Sequence, residues 1–358
     1  MSLKLWDDLG ISQRETKLYE IFHGNNVNVS FVTYGNSDDL RTKCDINNFK
    51  VLYNRFKIPQ RLYESTTHLL HSHAFKSADV IKSNQTNGAE IALKVSKYFN
   101  KYFIARCGYM LSKFMEHQYG LKSVQYMKAS IIENKVFSNA DQIIVASKTM
   151  KDDIKLKYPL VSTNIAIVPN YVDTNSFRPA AFNEPDYDIV FVGRIDPQKN
   201  VPALLEAAKS LRLKIILVGT GSENAIVRKY RNNFGNSMKW IKKIDNFQLP
   251  EIYNRGKIFV LPSHYEGHPK VIIEAMASGT TVMGSDSPGI NEIIHHGFNG
   301  WLCGTDTESI KENISYLLGN SSLRSKLEKN ARIDAIEKYS LEKISKQELK
   351  IIRNVVKK

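Results

Sequence analysis

Short, nearly continuous runs of β-branched and other apolar residues recur along this 358-residue chain, separated by stretches of helical periodicity. In the first half they are VNVSFVTYG (27–35), FKVLYN (49–54), ADVIKSN (78–84), KYFIARCG (101–108), ADQIIVAS (140–147) and NIAIVPN (164–170). Runs that fail to alternate apolar with polar belong to strands buried on both faces, as in a parallel sheet covered by helices. The stretch FRPAAFNEPDYD (177–188), rich in proline and turn formers, breaks the pattern and reads as an interdomain linker. The pattern then restarts with YDIVFVGRI (187–195), KIILVGTG (214–221), KIFVLPS (257–263) and TVMGSD (281–286). Strands alternating with helices twice over predict an α/β protein of two doubly wound, Rossmann-like domains. The expected boundaries are 1–176 and 185–338, with a basic helical segment, 339–358, packing back on the first domain. Open α/β sheets take ligands at the carboxyl ends of their strands. The expected site is therefore a cleft to which both domains contribute loops.

Apolar residues make up 42% of the chain and charged residues 24%, the balance of a soluble globular protein. No apolar run reaches the length of a membrane span, and the start lacks a basic-then-apolar signal pattern. Cys44, Cys107 and Cys303 are scattered, without ligand-like spacing, which fits a reducing cytoplasm rather than a disulfide scaffold. The formal charge is +14, spread as 23 Lys/Arg against 15 Asp/Glu over residues 1–172 and 27 against 21 over the rest. Such an excess suits an anionic partner or simply a basic, solvated surface. A non-enzymatic protein that binds an anionic polymer such as nucleic acid is one reading. No basic run or recognised nucleic-acid motif supports it, and no nucleic-acid partner is expected.

The strand ends of the second half carry the chemistry. VGRIDPQKN places Arg194 just past a buried strand and Lys199 in the following loop. Arginine offers a planar fork for phosphate oxygens and lysine a mobile point charge. Two surface cations beside a loop are the plain alternative, but both in one strand-end loop favour a diphosphate. VGTGS is a weak signal, since it lacks the full dinucleotide spacing. In HYEGHPKVIIEAMASG (264–279), Pro269 suits the first helical position and Gly279 the C-terminal stop. The backbone N–H groups of His268, Lys270 and Val271 would then favour an anion at the helix start. Glu266 lies just ahead of that helix, and Glu274 about a turn and a half inside it. An acid in early helical turns also complements the helix dipole. The apolar neighbours of Glu274 favour instead a carboxylate that accepts from two vicinal hydroxyls, as a ribose site does. A glycosidase-like pair would need carboxylates on opposite sides of a sugar ring.

Together these segments resemble the retaining glycosyltransferases of family 4, which have two facing Rossmann-like domains (the GT-B fold). The matching stretches are VGRIDPQKN, IFVLPSHYEGHPKVIIEAMASG, SDSPGINEIIHHGFNGWL, IVPNYVDTNSFRP and LGISQRETKLYEIF, strongest over 187–302. The resemblance implies that Arg194 and Lys199 hold the diphosphate of a nucleotide-sugar, Glu274 its ribose, and Glu266 its sugar. Gly267, His268, Pro269, Lys270 and Val271 would line the sugar and phosphates, the loop at Gly10 would close over the phosphates, and Ile244 and Asp245 would face the base. Arg194, Lys199 and Glu266 are the implied catalytic residues, and no metal or other cofactor is expected. His295, His296, His71 and His73 are then surface or loop histidines rather than ligands. Two departures stand out. The family opens with a buried strand, whereas this chain starts MSLKLWDDLG, so LKLW is a shortened strand or the start lies upstream of Met1. Many members carry a histidine where Cys107, Gly108 and Tyr109 stand, which leaves Asn84, Gln85 and Asn87 as candidate sugar contacts.

The implied activity is transfer of a hexose-type sugar to a glycan or lipid-linked acceptor in cell-surface polysaccharide or glycoconjugate synthesis. An epimerase, phosphorylase or hydrolase on the same scaffold, or a silent relative, remains open. Residues 92–128 hold seven Lys/Arg and one acid, Glu116, interleaved with Tyr98, Phe99, Tyr102, Phe103, Tyr109, Phe114, Tyr119 and Tyr126. Such a surface suits an anionic membrane face or sugar rings, and the aromatics equally suit a core. The expected location is cytoplasmic, peripheral on the inner face of the membrane.

Overall fold

The computed structural model describes residues 2–42, 48–180 and 184–357. Cys44, and residues 181–183 of the proline-rich stretch, lie outside the described residues. The chain divides into two compact units, Met1–Pro169 with Ser345–Lys358, and Asn170–Ile344.

The first unit runs α1 (Leu3–Asp8), α2 (Ser12–Gly24), β1 (Val29–Val32), β2 (Phe49–Leu52), α3 (Gln60–Leu70), α4 (Ser72–Ser77) and β3 (Val80–Lys82). It continues with α5 (Ala89–Phe99), β4 (Tyr102–Cys107), α6 (Leu111–Tyr119), α7 (Val124–Phe137), β5 (Gln142–Val145), α8 (Lys148–Lys157) and β6 (Ile165–Ile167). Its strands form two parallel sheets, β1-β2 and β3-β4-β5-β6. In β5 all four residues are buried, and each fully buried isoleucine or valine contributes about 1.5–3 kcal/mol. Ser123 and Ser147 cap α7 and α8, their side chains accepting from the N–H groups of Tyr126 and Met150.

The opening segment corrects one expectation: LKLW is helical, not a shortened strand. Ser2 caps α1, accepting from Leu5 N at 3.0 Å, and Leu3 and Trp6, three residues apart, are buried together. Spacing of three aligns side chains on a helix but sends them to opposite faces of a strand.

The second unit runs β7 (Tyr187–Val192), α9 (Val201–Ser210), β8 (Ile215–Val218), α10 (Asn224–Phe234), β9 (Met238–Ile241), α11 (Leu249–Asn254) and β10 (Gly256–Leu261). Then come α12 (Lys270–Ala277), β11 (Thr281–Ser285), β12 (Trp301–Cys303), α13 (Thr307–Gly319) and α14 (Ser321–Tyr339). Helix α15 (Leu341–Val356) starts in this unit and continues into the first. The six strands form one sheet in the order β12-β11-β10-β7-β8-β9, every pairing parallel. The winding direction reverses between β7 and β10, which makes that gap the topological switch point of a Rossmann-like sheet. At its rim the loops after β7 and β8 touch backbone to backbone. A Cβ on Gly219 would stand 1.8 Å from Gly193 O, so only glycine fits there.

Among the described residues, no helix is long and apolar enough to cross a membrane.

Candidate functional site

The loops after β7 and β10 meet at the switch point and bring Arg194, Lys199 and the Glu266–Val271 segment together. After β7 the chain turns through a short 3-10 helix, Pro197–Lys199, and Asn200 takes a left-handed φ of 52° before α9. Asn200 Nδ2 donates to Pro262 O at 3.3 Å and Thr305 O at 2.7 Å, pinning this turn to its neighbours. Lys199 is buried and its ammonium pairs with the Glu266 carboxylate across the two loops. Arg194 is exposed, with its guanidinium 3.3 Å from Asp196 and donating to Gln198 Oε1 at 3.2 Å. The site thus holds one enclosed cation, already charge-paired, and one cation facing solvent on a polar support.

Glu266 is held at both ends. Its N–H donates to Pro288 O at 2.9 Å, while its side chain meets Lys199. Gly289, at φ 82°, packs so tightly beneath the turn that a Cβ would lie 2.4 Å from Glu266 O and 2.5 Å from Gly267 O. His268 is buried, its ring 5.6 Å from that of Tyr339 and its carbonyl accepting from Asn170 Nδ2 at 2.6 Å. Pro269 is the N-cap of α12 rather than its first helical residue, and no side chain caps that end. Lys270 lays its ammonium 4.8 Å from the centre of the Tyr171 ring.

Glu274 is 1% exposed, a carboxylate inside the fold. It accepts from Tyr253 Oη at 3.0 Å and Asn246 Nδ2 at 3.3 Å. Ile244 is half-buried, packed on the core near the end of β9. Gly10 belongs to the first unit, where it makes the α1–α2 turn at φ 72°.

Acidic neighbours complete the rim. Burial, reinforced by Asp196, pushes the Glu223 carboxyl above its usual range, and burial likewise raises the Tyr265 phenol. Gln198, Asn246, Tyr253 and Gly289 are the residues that sequence reasoning passed over. Gln198 links Arg194 to Tyr265 O, to which its Nε2 donates at 2.8 Å. Its place beside Lys199 was the only signal.

The other candidates fall elsewhere. Gln85 Oε1 accepts from Gly108 N at 2.9 Å, so that side chain braces the loop after β4. His71 Nε2 lies 2.7 Å from Tyr63 Oη, and His296 Nδ1 accepts from Leu302 N at 3.0 Å. Among the described residues, no three His, Cys, Asp or Glu side chains are placed to hold a metal ion.

Residues 172–334 match the family model of glycosyl transferases group 1. The chain is 25% identical over 232 residues to an uncharacterised glycosyltransferase of Methanocaldococcus jannaschii, covering 59% of this chain and 60% of the relative. It is 28% identical over 262 residues to the alpha-maltose-1-phosphate synthase of Mycobacterium tuberculosis, covering 64% and 67%. The matched region therefore spans about three fifths to two thirds of these relatives. Among solved structures, sucrose-phosphate synthase from Thermosynechococcus elongatus superposes with a TM-score of 0.81 at 21% identity, covering 96% of this chain and 93% of that one. Anabaena HepE in complex with UDP and glucose gives 0.72 at 16% identity, covering 94% of each. The family match lies within the second unit, and the solved structures show the fold: two Rossmann-like α/β domains of the GT-B type.

Proposed function

We propose that this chain is a nucleotide-sugar-dependent glycosyltransferase. It moves a hexose-type sugar, with retention, to a glycan or lipid-linked acceptor in cell-surface polysaccharide or glycoconjugate synthesis. The observation that carries the reading is the Lys199–Glu266 pair at the switch point, flanked by Arg194 and the uncapped start of α12. That HepE binds UDP and UDP-glucose on a similar fold supports a uridine donor.

In this reading the second unit binds the donor and the first selects the acceptor. Arg194 and Lys199 take the diphosphate, and Glu274 the ribose. Glu266, Gly267 and the backbone of His268 to Val271 take the sugar. Ile244 faces the base. Breaking the bond from anomeric carbon to phosphate oxygen leaves negative charge on the diphosphate. Cations fixed where that charge grows stabilise the transition state more than the bound substrate. Lys199 can turn from Glu266 toward the leaving oxygen, since an ammonium carries three donors. The two cations supply the charge that a metal would otherwise provide, so transfer proceeds without metal or cofactor. The enzyme works in the cytoplasm, peripheral on an anionic membrane surface.

A thermal-shift panel of nucleotides and nucleotide-sugars, followed by product analysis with the best donor, tests this reading. A nucleoside diphosphate-sugar should raise the melting temperature, and Glu274→Ala should abolish the shift. No shift from any nucleotide-sugar would refute the proposal.

A further inference from the structure

Helix α7 presents two opposite faces. At 100° per residue, Ala129, Glu133, Val136 and Phe137 share one side, and all four are buried. Val124, Met127 and Ile131 share the other, and these three are between 50% and 67% exposed. Leu121 and Tyr119, in the connection from α6, extend the line at 58% and 50% exposed. Lys128 and Lys135 run along one flank of this strip and Lys122 stands at its tip, all exposed, with the Lys135 ammonium 3.4 Å from Glu90 of α5. Glu133 points inward, where it accepts from Ser112 N at 2.9 Å and Tyr158 Oη at 2.7 Å, so α7 offers no acid on its outer face. The aromatic stretch read from the sequence is mostly turned inward or half-covered. Phe103 is buried in the core, and of its eight rings only Tyr98 and Tyr119 are exposed.

An apolar line on a helix surface is the mark of something that covers it. Lysine is depleted in protein–protein interfaces relative to the rest of the surface, so three lysines along one short strip fit a protein partner poorly. It fits anionic lipid headgroups, which attract cations while apolar side chains enter the headgroup–acyl boundary. Long lysine stems allow the ammonium groups to reach back to the phosphates as the strip sinks. We infer that the face Tyr119–Leu121–Val124–Met127–Ile131, with Lys122, Lys128 and Lys135, is the surface by which this chain docks on an anionic bilayer. This deepens the membrane reading proposed above and does not depend on the donor chemistry.

The test is co-sedimentation of the full chain with vesicles of phosphatidylcholine and phosphatidylglycerol, against phosphatidylcholine alone, at low salt. The wild type should bind only the anionic vesicles. Met127→Asp with Ile131→Asp should cut binding at least tenfold, and Lys128→Ala about fivefold, in line with about 1 kcal/mol per basic residue near the surface. Circular dichroism and melting temperature, unchanged in these surface variants, show that folding is intact. Failure of the wild type to bind anionic vesicles, or equal binding by the double aspartate variant, would overturn the inference. So would a dimer in light scattering that the aspartates dissolve, which would assign the face to a second copy. The nucleotide-sugar thermal shift, read on the same preparations, should be unchanged in every variant, and its absence would bear on the donor reading alone.

Discussion

Each unit buries a lysine–glutamate pair at the carboxyl end of parallel strands, and the two pairs are built differently. Lys199 and Glu266 join two loops, each anchored through its backbone to a third segment. Lys82, the last residue of β3, instead meets Glu348 on α15, a carboxylate with no exposed surface. Arg106 adds a second cation 3.7 Å from Glu348, and the Tyr19 ring lies 5.1 Å from the Lys82 ammonium. A pair between loops can trade one partner for a ligand oxygen by a small rotation. A pair between a sheet and a helix, with the carboxylate bracketed by two cations, has no such freedom and serves to fix the C-terminal helix. The same two residue types therefore do different work according to what carries them.

The largest expected effect lies on the helix side. Glu348→Ala removes the fully buried anion between two largely enclosed cations, and urea unfolding should show a loss of about 3–5 kcal/mol. A loss below about 1 kcal/mol would erase the contrast. On the loop side the change to read is the functional one, measured as turnover of folded protein. Lys199→Ala should lower turnover by about 10²–10³-fold, as for removal of a preorganised group aimed at developing charge. Wild-type turnover in that variant would remove Lys199 from the chemistry.

A smaller effect is expected at Tyr253, whose hydroxyl orients Glu274. Tyr253→Phe should weaken nucleotide binding about fivefold, the worth of one hydrogen bond of about 1 kcal/mol, with turnover at saturation unchanged. Calorimetric titration of the free nucleotide measures it, and an unaltered Kd would detach Tyr253 from the site.

The smallest effect is pH-linked. Burial favours the neutral form of Glu348, but the Lys82 and Arg106 charges outweigh it and hold the carboxyl below 4.5. Burial disfavours the Lys82 ammonium too, and Glu348 outweighs it, holding the group above 10.5. The carboxyl contributes stability that is complete above pH 4.5 and lost as pH falls through its depressed value. The ammonium contributes stability complete below pH 10.5 and lost as pH rises through its raised value. A Lys82→Met, Glu348→Leu variant should therefore flatten the acid limb of the urea-midpoint profile, and an unaltered limb would show that other groups set it.

Central strands were legible because they are buried on both faces. QIIV and IILV are continuous apolar runs, and each became a strand within the span read from it. MKWI and WLC escaped notice because β9 and β12 are edge strands, short, with half-exposed positions diluting the pattern. LKLW misled for a related reason, since four residues cannot separate a period of two from one of 3.6 without the capping serine. At the candidate site, residue type and strand-end position singled out Arg194, Lys199 and Glu266, which the loops after β7 and β10 bring together. Neither signal marked Asn246 or Tyr253, because their bonds to Glu274 arise only once α11 and the 3-10 turn before it (Asn246–Gln248) pack against α12. The outward strip of α7 was hidden behind the aromatics that precede it, which draw the eye and then fold inward.

Gly289 carries a consequence for redesign. The shape of the Glu266–Gly267 turn is imposed from beneath by a segment more than twenty positions downstream, because any side chain at 289 would collide with both carbonyls. The turn after β10 and the Pro288–Gly289 bend are thus one module split in the chain. Grafting residues 264–279 alone onto a related scaffold would carry the charges but not their placement. Exchanging that stretch together with 286–291 is the smallest swap that keeps both.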